Sequence, residues 1–240
     1  MLQAQIRGKL RALQENQEDL LTSNAFGILT YFGHQLFWQF ASLAADVDGR
    51  TLADNIGHDA AVSDVEFWPR LSSPDSVQAE PDVTFVATTP DGSRWSILVE
   101  AKYRSPISSE ADPGSARPEH QLSREWLCAL ASDHARAAVI YLTSDYVRPQ
   151  VDIEEAQAEL RQKGHREGAF FWLSWRALAK CLETEHALPI VDLRRLLLDR
   201  YGLYYYCGLR SLTTQPVWKY VSRWWGWLAE RKPNMWRFTP

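Results

Sequence analysis

Between Glu80 and Arg104 the chain reads Glu-Pro-Asp-Val-Thr-Phe-Val, a turn, and then Trp-Ser-Ile-Leu-Val-Glu-Ala-Lys-Tyr-Arg. Two apolar, β-branched runs flank Pro90-Asp91-Gly92, whose backbone preferences suit a three-residue loop with a glycine bulge, so the stretch is predicted to be a β-hairpin. With those residues as the loop, Thr89 faces Ser93. Stepping outwards along an antiparallel ladder then brings Asp82 opposite Glu100. Period-2 alternation puts Asp82, Glu100 and Lys102 on one face. Facing Cβ atoms lie about 4.5–5.5 Å apart, so two carboxylates there repel unless a cation sits between them.

The pattern asks for a hard divalent ion. Magnesium takes oxygen ligands at about 2.0–2.1 Å, keeps several waters, and is held by one or two carboxylates. Lys102 reaches the same spot, where an ammonium can orient water or stabilise charge developing on a phosphate. This is the chemistry of phosphodiester hydrolysis. The bland alternative is that Asp82 opens a strand, Glu100 ends one at the surface, and Lys102 pairs with either across the sheet.

Pro81-Asp82, a hairpin, and Glu100-Ala101-Lys102 after an apolar strand resemble the PD-(D/E)XK nuclease superfamily over roughly residues 64 to 143. The resemblance implies a restriction-endonuclease-like α/β core, a mixed β-sheet flanked by helices. It also implies Asp82 and Glu100 as ligands of Mg2+ or Mn2+ and Lys102 as the catalytic lysine. The string from Glu18 to Gly27 resembles the opening of a group of prokaryotic nuclease-like proteins, many from phage-defence settings. In that group the glutamate of the first helix faces the metal, which implies the same for Glu18. Asp19 is adjacent, and either acid could be a surface or capping residue. The helix after the acid-X-Lys strand often carries a supporting Gln, and Gln121 matches by position. The tyrosine that follows this Gln in some branches is replaced by Glu125. Arg104 and Arg124 are candidates for phosphate contact, with an ordinary ion pair the commoner fate of a residue such as Arg124.

The chain has 240 residues, 45% hydrophobic and 23% charged, which fits one globular domain over 1–240. It is expected to comprise N-terminal helices in 1–45, the core, and a helical, aromatic-rich region in 189–240. No apolar run is long enough to cross a membrane, and Met1-Leu2-Gln3-Ala4-Gln5 does not open like a secretion signal, which points to the cytoplasm. Cys128, Cys181 and Cys207 lack the spacing of a disulfide framework or a structural zinc site, and the histidines are scattered. The formal charge of −4 is uneven: residues 191–240 hold nine Lys or Arg against three acids. That asymmetry suits either a basic face for nucleic acid or a solvated helix surface.

In chain order, residues 2–21 read as an amphipathic helix, Thr22-Ser23-Asn24 as a cap, and Ala25–Ala45 as a second, largely buried helix. After a polar stretch over 46–63, Val65–Leu71 reads as a strand with an edge or bulge at Pro69. Residues 104–119 form a long loop that could order over bound nucleic acid. Gln121–Leu130 reads as a helix with Gln121, Arg124 and Glu125 opposite its apolar side. A doubly buried strand is predicted at 137–143, a helix at 152–164, a strand at 169–173 and helices at 176–185 and 191–201. Beyond them aromatics interleave with Arg and Lys, a mixture that can stack bases and hold phosphate, while Trp218, Val221, Trp225 and Leu228 share a helical face suited to a core or an oligomer contact.

The expectation is therefore a divalent-metal-dependent endonuclease acting on DNA, with a role in defence against foreign DNA and with a homo-oligomer or a defence partner protein as its associate. Two rival readings stand beside it: an inactive nuclease-shaped module that binds nucleic acid or a protein, and an RNA-cleaving enzyme.

Overall fold

A computed structural model describes residues 17–74, 77–107, 118–132 and 136–205. Helix α1 (Gln17–Tyr31) runs straight through Thr22-Ser23-Asn24, the triplet that reads as a cap. Packing overrides the capping preference. Leu21, Ala25, Phe26 and Leu29 form one buried stripe, and Thr22 and Ser23 are buried beside it. The break comes instead at Gly33, whose φ of 111° no other residue adopts cheaply. Helix α2 (His34–Ala41) follows, so residues 25–45 hold the end of one helix and the whole of another. Most of the helix read over 2–21 lies outside the described residues.

The polar stretch before the sheet contains a short helix, α3 (Leu52–Ile56), fixed by a capping box in which Thr51 and Asp54 satisfy each other's backbone N–H groups. Strand β1 (Ala61–Phe67) starts four residues earlier than the apolar run suggests and ends at Phe67. A register shift between Ser63 and Glu66 and a φ of 52° at Asp64 mark a bulge. Trp68, at φ 49°, turns the chain out of the sheet. Leu71 therefore belongs not to that strand but to β2 (Leu71–Ser72), which pairs with β3 (Gln78–Ala79) as a separate small hairpin.

Strands β4 (Val83–Thr88) and β5 (Arg94–Lys102) form the central hairpin. Its turn follows its residues: Gly92 takes φ 85°, Thr89 N–H donates to the Ser93 carbonyl at 2.9 Å, and Asp91 accepts from Ser93 N–H at 3.1 Å. Thr88 faces Arg94 and Val83 faces Val99, so the next step outwards sets Asp82 against Glu100. Helix α4 (Gln121–Leu130) then leads to β6 (Arg136–Thr143), and α5 (Gln150–Gln162) to β7 (Phe170–Ser174). Helices α6 (Trp175–Cys181) and α7 (Leu188–Arg195) follow, with a 3-10 turn (Leu182–Thr184) between them and a π-helical turn (Leu196–Arg200) after α7.

The five-stranded sheet has the order β1-β4-β5-β6-β7, antiparallel through β5 and parallel from β5 to β7. This is a mixed sheet with helices on its faces, as the order of elements suggests. On one face Phe37 meets Phe85 at 4.8 Å between ring centroids, and Phe26 meets Trp175 at 5.9 Å. On the other, Leu98, Val139 and Tyr141 pack against Leu122, Trp126 and Ala129 of α4 and Ile153, Ala156 and Leu160 of α5. Residues through Tyr204 belong to one compact unit. The readings placed on 206–240, including Cys207, Lys219, Arg223 and the tryptophans from Trp218 onwards, lie outside the described residues, as does the middle of the loop at 104–119.

Candidate active site

Asp82 sits at the mouth of β4 and is held at both oxygens. The Trp68 indole Nε1–H donates to Oδ1 at 3.0 Å and the Ala101 backbone N–H to Oδ2 at 2.9 Å. The Trp68 backbone N–H also donates to the Asp82 carbonyl at 3.0 Å. The left-handed turn at Trp68 thus brings both backbone and side chain of one residue onto Asp82. Even so, burial and then the Glu100 carboxylate push the Asp82 pKa well above the carboxylate range.

Glu100 projects from the middle of the sheet, 2% exposed, between its neighbours Leu98 and Lys102 on the α4 face. Lys102 Nζ donates to Glu100 Oε1 at 2.5 Å and to Glu18 Oε1 at 3.4 Å. Burial drives the Glu100 pKa up, and the Glu125 carboxylate adds to it, while Lys102 pulls the other way. For Lys102, burial alone would lower the pKa. Glu100 and then Glu18 outweigh it and hold the group above the ordinary lysine value, as an ammonium.

Glu18, near the start of α1, is the third side of this clamp. Besides Lys102, it accepts the Tyr103 backbone N–H at 2.7 Å and the Ser105 hydroxyl, both at Oε2. Its oxygens are taken by donors just beyond the end of β5. Tyr103 in turn donates its hydroxyl to the Tyr201 carbonyl at 2.8 Å, tying the strand exit to the turn after α7.

Glu125 corrects the sequence reading. It does not lie on an exposed side of α4 with Arg124 but is 1% exposed, because residues 125–129 are buried in succession and its own side turns to Glu100. Its nearest polar side chains are those of Glu100 and Gln121. Burial raises its pKa to about 7, against a smaller opposing influence from the Glu100 and Gln121 side chains beside it. Gln121 reaches the cluster through this glutamate one helical turn away. The signal was present in the sequence: Leu122, Glu125, Trp126 and Ala129 follow the i, i+3, i+4, i+7 rule, with a carboxyl where an apolar residue is usual. Trp68, by contrast, becomes a neighbour of Asp82 only through the turn that ends β1.

The two arginines stand outside the cluster. Arg104, at φ 61°, lays its guanidinium over the Tyr103 ring at 5.1 Å. Arg124 donates to the Glu119 carbonyl. It also lines, with Gln121, a polar groove of about 640 Å³ whose other wall is Arg70, Leu71, Ser72, Gln78 and Glu80. Of its lining residues, Glu80 lies two positions before Asp82 in the chain and Gln121 one helical turn before Glu125. Among the described residues, no three Asp, Glu, His or Cys side chains are already arranged around a metal-sized point. None of the described helices is long and apolar enough to cross a membrane. No protein-family model, curated protein or solved structure matches the chain.

Proposed function

We propose that this chain is a divalent-metal-dependent nuclease of the PD-(D/E)XK kind that hydrolyses phosphodiester bonds in DNA, acting in the cytoplasm against foreign DNA. The observation that carries this reading is the imbalance of charge at the end of β5. The carboxyls of Glu18, Asp82, Glu100 and Glu125 surround a single ammonium, Lys102, and three of them are pushed towards protonation by burial and by one another. Buried like charges raise one another's pKa and oppose folding, and such arrangements cluster at functional sites.

The donor set fits a hard cation. Asp82 and Glu100 would hold magnesium or manganese, and Glu125 adds a buried carboxyl beside them. A bound ion supplies charge neutralisation at the phosphate and activates water for attack. The chain's own residues do the rest. Trp68 and Ala101 fix the Asp82 rotamer, Glu18 and Glu100 hold Lys102 Nζ at the cluster, and Lys102 meets the negative charge that builds as water's oxygen bonds to phosphorus and the bond to the leaving alcohol breaks.

The test is incubation of the purified protein with supercoiled, linear and single-stranded DNA and with RNA, in magnesium, manganese or EDTA. Cleavage of DNA with either ion and none in EDTA is expected. Asp82→Ala and Glu100→Ala should abolish it with the far-ultraviolet circular dichroism of the fold retained. A wild-type protein that cuts no nucleic acid in either metal would reduce the site to a structural ion cluster in a binding module.

A further inference from the structure

At the opposite end of β5 from Glu100, Trp95 faces Arg136, the first residue of β6. The Arg136 guanidinium lies over the Trp95 ring at 5.3 Å from its centroid, and Arg166, in the loop before β7, lies over Trp126 of α4 at 5.6 Å. Together with Glu167 and Ala169 these four residues line a depression of about 380 Å³. That is within the range of about 300–1,000 Å³ usual for small-molecule sites.

The chemistry of this depression is one-sided. Glu167, the acid at its rim, is engaged by Arg161 at 2.8 Å, whereas neither Arg136 nor Arg166 has an ion-pair partner among the described residues. The indole N–H groups of Trp95 and Trp126 are buried and meet no acceptor among the described residues, and Trp126 is 2% exposed. A guanidinium stacked on an indole keeps its in-plane N–H fork free and pre-oriented, which suits two-pronged capture of an oxyanion. Trp95 and Glu100 lie five steps apart along extended strand, about 3.3 Å each, so the two places are roughly 17 Å apart.

We infer that this depression is a second, phosphate-binding site, in which Arg136 and Arg166 grip one phosphate group. The phosphate belongs either to a free nucleotide or to a nucleic-acid backbone passing that face, and both present the same oxyanion. The inference stands on these residues alone and does not need the acidic cluster to be catalytic. Helix α4 contributes Trp126 here and Glu125 there, so an occupant of one site touches the element that lines the other.

The experiment is titration calorimetry on the full chain in EDTA, with inorganic phosphate, adenosine 5′-monophosphate and a ten-nucleotide oligothymidine as probes. Binding of at least one phosphate probe is expected. The double variant Arg136→Gln/Arg166→Gln should weaken it at least tenfold, and Arg136→Lys/Arg166→Lys should fall between, keeping charge and losing the fork. Both arginines are exposed, so unchanged melting should accompany the loss. Comparable binding of the mononucleotide would mark a small-ligand site, and binding of the oligonucleotide alone a backbone contact. No binding of any probe, or equal binding by the glutamine variant, overturns the inference. Because neither metal nor cleavage enters the measurement, a failure of the nuclease reading would not change its outcome.

Discussion

On the nuclease reading proposed above, Lys102 is the residue at which rate and affinity should separate. Its ammonium, 2.5 Å from Glu100, adds most where charge grows on a reacting phosphate and little to binding the ground state. Removing one such donor typically costs about 100- to 1,000-fold in turnover, on the order of 2.7–4 kcal/mol. Lys102→Ala should therefore cleave at least about a hundredfold more slowly while binding DNA nearly as well, read by single-turnover cleavage beside a binding isotherm. Equal losses in both would make it a binding residue. Glu125 gives the pH signature. Its pKa rises from an ordinary 4.5 to about 7 in the folded metal-free protein, chiefly through burial, so between those values the folded state holds more protons than the unfolded one. Stability contributed by the cluster then falls as pH rises through that window, and Asp82 and Glu100, raised likewise, act with the same sign. Thermal melting in EDTA should show this fall, and Glu125→Gln should flatten it. Added magnesium, which binds only deprotonated carboxylates, should raise the melting temperature more near pH 8 than near pH 5.5. A stability profile unchanged by Glu125→Gln would remove that residue from the cluster.

Among the elements, the hairpin β4–β5 was legible in the sequence because its turn chemistry and its period-2 pattern agree, and register then follows by counting. Asp82 opposite Glu100 needed nothing more. Gln121 was legible only through the family resemblance. Glu125 and Trp68 were not read, for different reasons. Glu125 is a charged residue inside a buried stripe, and polarity alone places such a residue outside. Trp68 depends on a left-handed turn at a bulky residue, which no local preference predicts and which only the surrounding packing enforces. The same packing removes the cap at Thr22-Ser23-Asn24, where four apolar neighbours outweigh the local hydrogen bonds those side chains favour. Trp68 is accordingly the element-level test. Trp68→Phe keeps an aromatic ring beside Phe67, which packs on it at 5.7 Å between centroids, and removes the indole N–H to Asp82 together with the second ring. Loss of a hydrogen bond to a charged group costs about 1.5–3 kcal/mol, and loss of a partner that orients a metal ligand typically costs about 10- to 100-fold in metal affinity. Manganese titration should show that loss with far-ultraviolet circular dichroism unchanged. Unaltered manganese affinity would mean that the Ala101 N–H alone orients the carboxylate.

For the whole molecule, the proposed nuclease function raises the question of which surface would meet the backbone of a long anionic substrate when the chain carries a formal charge of −4. Composition points to the basic stretch 191–240, where two of the described members pair locally: Arg194 lies 3.5 Å from Glu183 and Arg195 lies 3.7 Å from Asp192. The groove between the small hairpin β2–β3 and α4 is the other candidate, since it carries Arg70 and Arg124 together with Gln121, one turn before Glu125. The Arg70 side chain is 91% exposed, and its contact with Glu80 at 3.3 Å is a surface pair that a phosphate can replace at little cost. Each phosphate neutralised on duplex DNA contributes about 0.9 to the slope of log affinity against log salt. Arg70→Gln with Arg124→Gln should therefore flatten that slope by about 1.8 and weaken binding similarly on unrelated sequences, because phosphate contacts carry no base information. Arg194→Gln with Arg195→Gln should leave the slope near its wild-type value. Fluorescence anisotropy with a labelled duplex over a range of salt, in calcium or EDTA to prevent cleavage, measures both variants under one condition. If the slope falls for the second pair and not the first, the duplex crosses α7, and the groove beside α4 has no part in holding it.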